Sequence, residues 1–244
     1  MATRKLVLMT GASGMIGTDM RVLLRDRYRF RLMSHATPLT PVGDEEVIQG
    51  AVDNLDDMRR AVAGVDAVLH LAASSAVGTP WPDALRNNIV GVYNTYEAMR
   101  EAGVKKVVFA STNHVTGMYE RDGLPCYPDV PVRPDGYYGA SKAFGEALGR
   151  YYSDEFGLQV ICLRIGSYLP EPRNERNLAT WLSPRDMAQL FWRSLEIDLP
   201  FGIFYAVSGN RRRYWSIESA VTVLGYRPED DAELYAGRIL KRQE

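Results

Sequence analysis

Short apolar runs alternate with amphipathic stretches along most of this chain. Leu6-Val7-Leu8-Met9-Thr10 is continuously apolar up to its last residue, the pattern of a strand buried on both faces. Similar runs recur at Phe30–Met33, Glu46–Gly50, Ala67–Ala73, Lys106–Ala110, Gln159–Ile165 and Gly202–Val207. Between the first two, Met20, Leu23 and Leu24 fall at helical spacing up to about Arg27. Helices are predicted over Leu55–Ala63, Ala84–Ala102, Tyr138–Phe156, Met187–Leu195 and Ser216–Leu224. Ser183-Pro184-Arg185-Asp186 reads as an N-cap with proline at the first helical position. Gly225-Tyr226-Arg227-Pro228 stops the last helix. Strand alternating with helix predicts an α/β fold with a doubly wound parallel sheet. After Gly166 the texture changes: Ser167–Thr180 is a polar loop carrying Pro170, Pro172, Arg173 and Arg176. The chain therefore divides into a regular α/β unit, residues 1–166, and a smaller region, residues 167–244.

Composition narrows the field without deciding it. A chain of 244 residues can bury one large core with a small appendage. Its 46% apolar and 24% charged residues are those of an ordinary globular protein. The formal net charge of -1 gives no reason to expect a nucleic-acid or membrane partner. Arg211-Arg212-Arg213 is the one basic cluster and reads as a solvated loop. Two cysteines far apart in sequence, Cys126 and Cys162, suit a reducing cytoplasm better than a disulfide framework. The first apolar run ends at Thr10-Gly11, too short for a signal peptide or a membrane span.

The candidate chemistry lies at the ends of the predicted strands. Gly11-Ala12-Ser13-Gly14-Met15-Ile16-Gly17 joins a strand to a helix. In that context, glycines let the backbone turn tightly and approach a pyrophosphate, whose charge meets the helix N-terminus. Ser34-His35-Ala36-Thr37 follows the second strand, where a carboxylate would hold an adenosine 2′-hydroxyl. No carboxylate stands there, and Ser34, His35 or Thr37 could instead bond a 2′-phosphate, which leaves NADP open beside NAD. Asp53, past the third strand, could accept from an adenine amino group; alternatively it caps the next helix, a role that Asn54 can also fill. Leu71-Ala72-Ala73 offers small residues across which a cofactor can lie, and His70 before them reads as a core histidine. No metal-ligand spacing is present. Tyr138 and Lys142 stand four residues apart, on one face of a helix. A free phenol, with a pKa of about 10, is a poor base at neutral pH, and a neighbouring ammonium favours the phenolate. Such a pair can take a hydroxyl proton while a hydride leaves the same carbon.

Together, Gly11/Gly14/Gly17, Asp53, Leu71-Ala72-Ala73, Asn88-x-x-Gly91-x-x-Asn94, Ser111-Thr112 and Tyr138-x-x-x-Lys142 resemble an extended short-chain dehydrogenase/reductase. The resemblance implies a Rossmann-type dinucleotide-binding unit, residues 1–166, with a small substrate-binding region, 167–244, packed on it. It makes Tyr138 the acid/base, Lys142 the ligand of the nicotinamide ribose and Thr112 the hydroxyl that positions the substrate. Cofactor contacts are expected from Gly11, Gly14, Met15, Ile16, Gly17, Ser34, Asp53, Leu71, Ala72, Ala73, Asn88 and Lys142. More narrowly, Ala110-Ser111-Thr112-Asn113-His114, Arg133-Pro134-Asp135-Gly136 and Arg164-Ile165-Gly166-Ser167 with Pro170-Glu171-Pro172 and Arg176 look like the uronate dehydrogenases. Those enzymes oxidise C1 of a hexuronate with NAD to an aldarolactone. On that likeness Ser75, Thr112, Asn113, His114, Tyr138 and Ser167 line the sugar site, and Arg176 pairs with the C6 carboxylate. The acidic residue those enzymes carry after strand two is missing here. The short region after Ile165 suits an unactivated sugar better than a nucleotide sugar, and Asn113-His114 replaces the carboxylate pair that a dehydratase needs. An epimerase, another aldose dehydrogenase and a cofactor-sensing protein are the competing readings. Relatives pair the Ala84–Ala102 and Tyr138–Phe156 helices across a two-fold, so a homo-oligomer is expected by analogy.

Overall fold

The computed structural model describes residues 4–241. Strands β1 (Leu6–Thr10), β2 (Arg29–Ser34), β3 (Glu46–Gln49), β4 (Ala67–His70), β5 (Lys106–Thr112) and β6 (Gln159–Ile165) are all parallel to their neighbours. The short β7 (Ser167–Tyr168) and β8 (Trp181–Leu182) pair apart, and β9 (Phe201–Ala206) adds to the main sheet beside β6. The seven strands run in the order β3-β2-β1-β4-β5-β6-β9. The chain thus builds outward from β1 in one direction, returns, and builds outward from β4 in the other. At that reversal the connections leave β1 and β4 on opposite faces, which opens a crevice at their carboxyl ends.

Helices α1 (Met15–Leu23), α2 (Leu55–Val62), α3 (Trp81–Asp83), α4 (Gly91–Ala102), α5 (Gly117–Arg121) and α6 (Tyr137–Phe156) fill the connections up to β6. After it come α7 (Asn177–Thr180), α8 (Pro184–Glu196), α9 (Glu218–Val223) and α10 (Ala236–Leu240). The caps follow local chemistry. Asn54 Oδ1 accepts from the amides of Asp56 and Asp57 at 3.0 and 3.1 Å, so α2 starts there. Ser183 Oγ accepts from the Asp186 amide at 3.1 Å, and Pro184 opens α8 as its sequence predicts.

Successive strand residues feed two cores. Val7, Met9, Val108, Ala110, Ile161 and Leu163 face one side, with Met20, Leu190 and Phe191 from α1 and α8. Leu8, Val107, Phe109, Val160 and Cys162 face the other, with Met58, Val92, Tyr96 and Tyr152 from α2, α4 and α6. Both faces being covered is why these strands read as unbroken apolar runs. A third, smaller cluster joins Leu178, Trp181, Ala232, Ala236 and Ile239 near the end of the chain.

Four predicted stretches take a different form. The single helix expected over Ala84–Ala102 begins as a π-helical turn, Ala84–Val90, before α4. The polar loop Ser167–Thr180 contains β7 and α7, and the Pro-, Gly- and Asp-rich stretch Met118–Asp135, which by composition reads as a loop, begins inside α5. These elements are too short to carry a period. The fourth strand ends at His70, so Leu71-Ala72-Ala73 lies beyond it. The region after Gly166 also supplies β9 to the main sheet and α8 to its flank. Among the described residues no helix is long and apolar enough to cross a membrane.

α6 reaches the crevice because Gly139, in its first turn, lets the helix press on the turn after β5. A Cβ at Gly139 would overlap the main-chain carbonyl of His114. Gly139→Ala is therefore expected to destabilise the protein by roughly 1–3 kcal/mol, the usual cost of overpacking. Urea denaturation will show it as a lowered midpoint at unchanged slope; an unchanged midpoint contradicts it.

Candidate functional site

The crevice begins with a backbone contact. Gly11 has φ +68°, and a Cβ there would stand 2.7 Å from the Ala72 amide nitrogen. The turn after β1 therefore lies directly on the turn after β4. Gly14 N donates to Gly11 O at 3.0 Å and closes that turn. Gly14 caps α1 without a side-chain bond, so the first amides of the helix stay available to an anion. Above this turn runs a cleft of about 470 Å³, and a second cavity of about 280 Å³ continues it past Gly11, Ser13, Ala72 and Ala73. The second cavity is lined further by Met33, His35, Val52, Asp53, Arg86 and Asn87. A long trough with small residues and free amides at its middle fits a dinucleotide, with the diphosphate over α1 and the adenosine towards Asp53.

The larger cavity receives the catalytic candidates from two elements. α6 brings Tyr138 and Lys142; the end of β5 and the 3-10 turn after it bring Thr112, Asn113 and His114. Lys142 is 2% exposed and its Nζ lies 4.7 Å from the centre of the Phe109 ring. Burial lowers its pKa to about 7, against the opposing pull of Cys162 and Glu146. Burial raises the Tyr138 phenol above its ordinary value, while a hydrogen bond with Thr112 works in the opposite sense. The four-residue spacing predicts that the ammonium depresses the phenol. In the structure desolvation dominates at both residues, and each group is pushed towards its neutral form. Asn113 is buried and its Nδ2 has no partner among the described residues, a donor left for a ligand. His114 Nδ1 sits 2.9 and 3.0 Å from the two Asp135 oxygens, and its ring centre is 6.1 Å from that of Tyr138.

Behind this wall α6 is anchored by a buried ion pair. Glu146, one turn beyond Lys142, accepts from Arg164 Nε at 2.9 Å and Nη2 at 2.8 Å. It also accepts from Ser111 Oγ at 2.6 Å. Arg164 belongs to β6 and Ser111 to β5, so one carboxylate ties the helix to both strands.

Arg176 lies just before α7 and lines the same cavity as Tyr138. Its Nη1 donates to Ser167 Oγ at 3.2 Å. Its Nε and Nη2 donate to the two oxygens of Glu120 at 2.5 and 2.9 Å.

The structure gathers the expected residues into this cavity except for Ser34, Asp53 and Asn88. Asp53 lies in the adjoining cavity, 3.7 Å from Arg86 Nε, and Asn54 rather than Asp53 caps α2. Ser34 lines neither cavity: its hydroxyl donates to Thr37 O at 2.7 Å, and His35 lines the trough in its place. Asn88 lies behind the wall. Its Oδ1 accepts from Ser74 N at 2.8 Å and its Nδ2 donates to Ser141 Oγ at 2.8 Å, so it braces the loop after β4 against α6. His70 is a core histidine, 3.0 Å from Thr10 Oγ1. Ser13, Tyr168, His35 and Arg86 line the trough without having been singled out for it, apart from His35 as a phosphate ligand. Glu120 carried no pattern that sequence could expose.

The sequence matches the NAD dependent epimerase/dehydratase family over residues 7–184. It is 39% identical over 236 residues to a uronate dehydrogenase of Pseudomonas syringae pv. tomato, covering 96% of this chain and 85% of that protein. It is 38% identical to an NAD-dependent glucose-6-phosphate dehydrogenase of Haloferax volcanii, covering 93% and 94%. The fold superposes with a TM-score of 0.89, at 37% identity, on a uronate dehydrogenase of Agrobacterium tumefaciens, a tyrosine-to-alanine variant complexed with NAD. That match covers 98% of this chain and 90% of the other.

The buried lysine makes stability depend on pH. Its folded pKa of about 7 lies below the unfolded value of about 10.4. Between the two, the unfolded chain holds the extra proton, so stability rises with pH; the cost is full below the folded pKa. Lys142→Met should therefore be more stable than the parent at mildly acid pH, with the gap closing as pH rises through this window. Urea midpoints across that range, without cofactor, will test it; a constant gap contradicts it.

Proposed function

The chain belongs to the NAD dependent epimerase/dehydratase family, and from that premise we propose that it oxidises C1 of a hexuronate such as galacturonate or glucuronate to the aldarolactone. The observation that carries this reading is the convergence of Tyr138, Lys142, Thr112 and Arg176 on one cavity at the end of a dinucleotide-shaped trough. Similarity to uronate dehydrogenases over nearly the whole chain supports the sugar acid. A bound nicotinamide supplies the hydride acceptor.

The residues divide the remaining work. Thr112 holds the C1 hydroxyl oxygen, and Tyr138, as phenolate, takes its proton. Burial disfavours the phenolate and the ammonium separately; placed together, each charge offsets the desolvation of the other. Lys142 thus holds the cofactor ribose and sustains the base. Asn113 offers its unpartnered amide to a sugar hydroxyl, Ser75 and Ser167 line the same space, and His114, held by Asp135, presents its other face to the sugar. Arg176 receives the C6 carboxylate.

At the adenosine end the trough has His35 and Arg86 and no carboxylate at the end of β2. Both NAD and NADP are therefore accepted, NAD being the family's usual partner. A second reading, oxidation of a phosphorylated or neutral aldose at C1, keeps the same catalytic residues and is supported, for the phosphorylated sugar, by the Haloferax relative.

Tyr138→Phe should lower kcat by roughly 10²–10⁴-fold, the worth of a positioned base, while cofactor affinity is retained. Full activity in that variant removes the base. Arg176→Ala should raise KM for galacturonate about tenfold, as expected for loss of a charge-assisted bond, and leave KM for galactose unmoved. Equal effects on both sugars remove the carboxylate role. Dissociation constants for NAD and NADP, read from quenching of protein fluorescence, should agree within about tenfold, and Arg86→Ala should weaken NADP alone. A much wider gap between the two contradicts shared use.

A further inference from the structure

We propose that Glu120 sets the discrimination between acidic and neutral sugars, by occupying the Arg176 guanidinium as an internal carboxylate. The proposal rests on the reading that Arg176 receives the substrate carboxylate. Arg176 binds Glu120 through Nε and Nη2 at 2.5 and 2.9 Å, the forked arrangement that an incoming carboxylate would need. One Nη2 hydrogen and the two on Nη1 remain for other partners, and Nη1 donates to Ser167 Oγ.

Glu120 itself does not line the cavity, whereas Arg176 does. The carboxylate therefore holds the guanidinium from the rim, on the five-residue helix α5. The side chains are 41% and 20% exposed, so the pair is screened by solvent and can open at modest cost. Asp135, the other acid on this side, is engaged by His114 and stands 3.8 Å from Arg121. Glu120 is thus the acid that cancels the charge of Arg176.

The consequence is a competition. An acidic sugar must displace the Glu120 carboxylate from that fork, so part of what it gains from Arg176 is offset by opening the internal pair. A neutral sugar uses Thr112, Asn113 and Ser167 and leaves the pair closed. Removing the internal carboxylate should favour the acid alone.

The experiment compares galacturonate and galactose at saturating cofactor. The full chain is assayed as parent, Glu120→Ala, Glu120→Gln, Arg176→Ala and the Glu120→Gln/Arg176→Ala double variant. Both Glu120 variants should lower KM for galacturonate about fivefold, the scale of a half-exposed ion pair, with kcat and galactose KM little changed. The gain should vanish in the double variant. Unchanged or raised galacturonate KM in the Glu120 variants overturns the proposal. If Arg176→Ala still raises that KM, the carboxylate reading itself stands. A gain that persists without Arg176 also overturns the proposal. Turnover of galactose with none of galacturonate, in the parent and in both Glu120 variants, removes the proposal and the uronate reading together.

Discussion

One buried carboxylate holds the catalytic helix to the sheet. Glu146 accepts from Arg164 on β6 and Ser111 on β5, and all three side chains are almost fully enclosed. A lone charge in that place would be costly, and removing either ion would leave the other uncompensated, at roughly 3–5 kcal/mol. The bidentate geometry also fixes rotation. Tyr138, Lys142 and Glu146 follow at intervals of four, so clamping Glu146 fixes the line along which the other two project. Ser111 precedes Thr112, so the same clamp registers the hydroxyl against the phenol.

Around that anchor the site combines two kinds of wall. Towards β1 and β4 it is backbone: Gly11 against Ala72, with free amides at the start of α1. Such a surface meets diphosphate charge through dipoles and needs no titratable group. Towards β5 and α6 it is side chains whose ionisation is opposed by burial. The same desolvation that raises Tyr138 and lowers Lys142 makes each sensitive to the other and to whatever charge enters the cleft.

Much of this was legible in the chain. The apolar runs of β1, β4, β5 and β6 declared a sheet covered on both faces, and the glycines at 11, 14 and 17 marked the tight turn between β1 and α1. Tyr138 and Lys142 declared a helix face because their spacing is local. What stayed hidden depends on contacts between distant segments. Asn88 looked like a cofactor ligand by its place in a motif, yet its amide is consumed by Ser74 and Ser141. Ser34 sits at the right strand end, but the carbonyl of Thr37, three residues on, captures its hydroxyl. Glu120 and Arg176 lie 56 residues apart, and no periodicity links them.

The third core has a different kind of consequence. Leu178, Trp181, Ala232, Ala236 and Ile239 form a cluster separate from the two that grip the sheet. It carries α7, immediately after Arg176, while the dinucleotide trough rests on the larger cores. Arg176 and the turn after β1 therefore rest on different cores. A change in this small cluster reaches Arg176 through α7 without passing through the residues that pack β1 and β4.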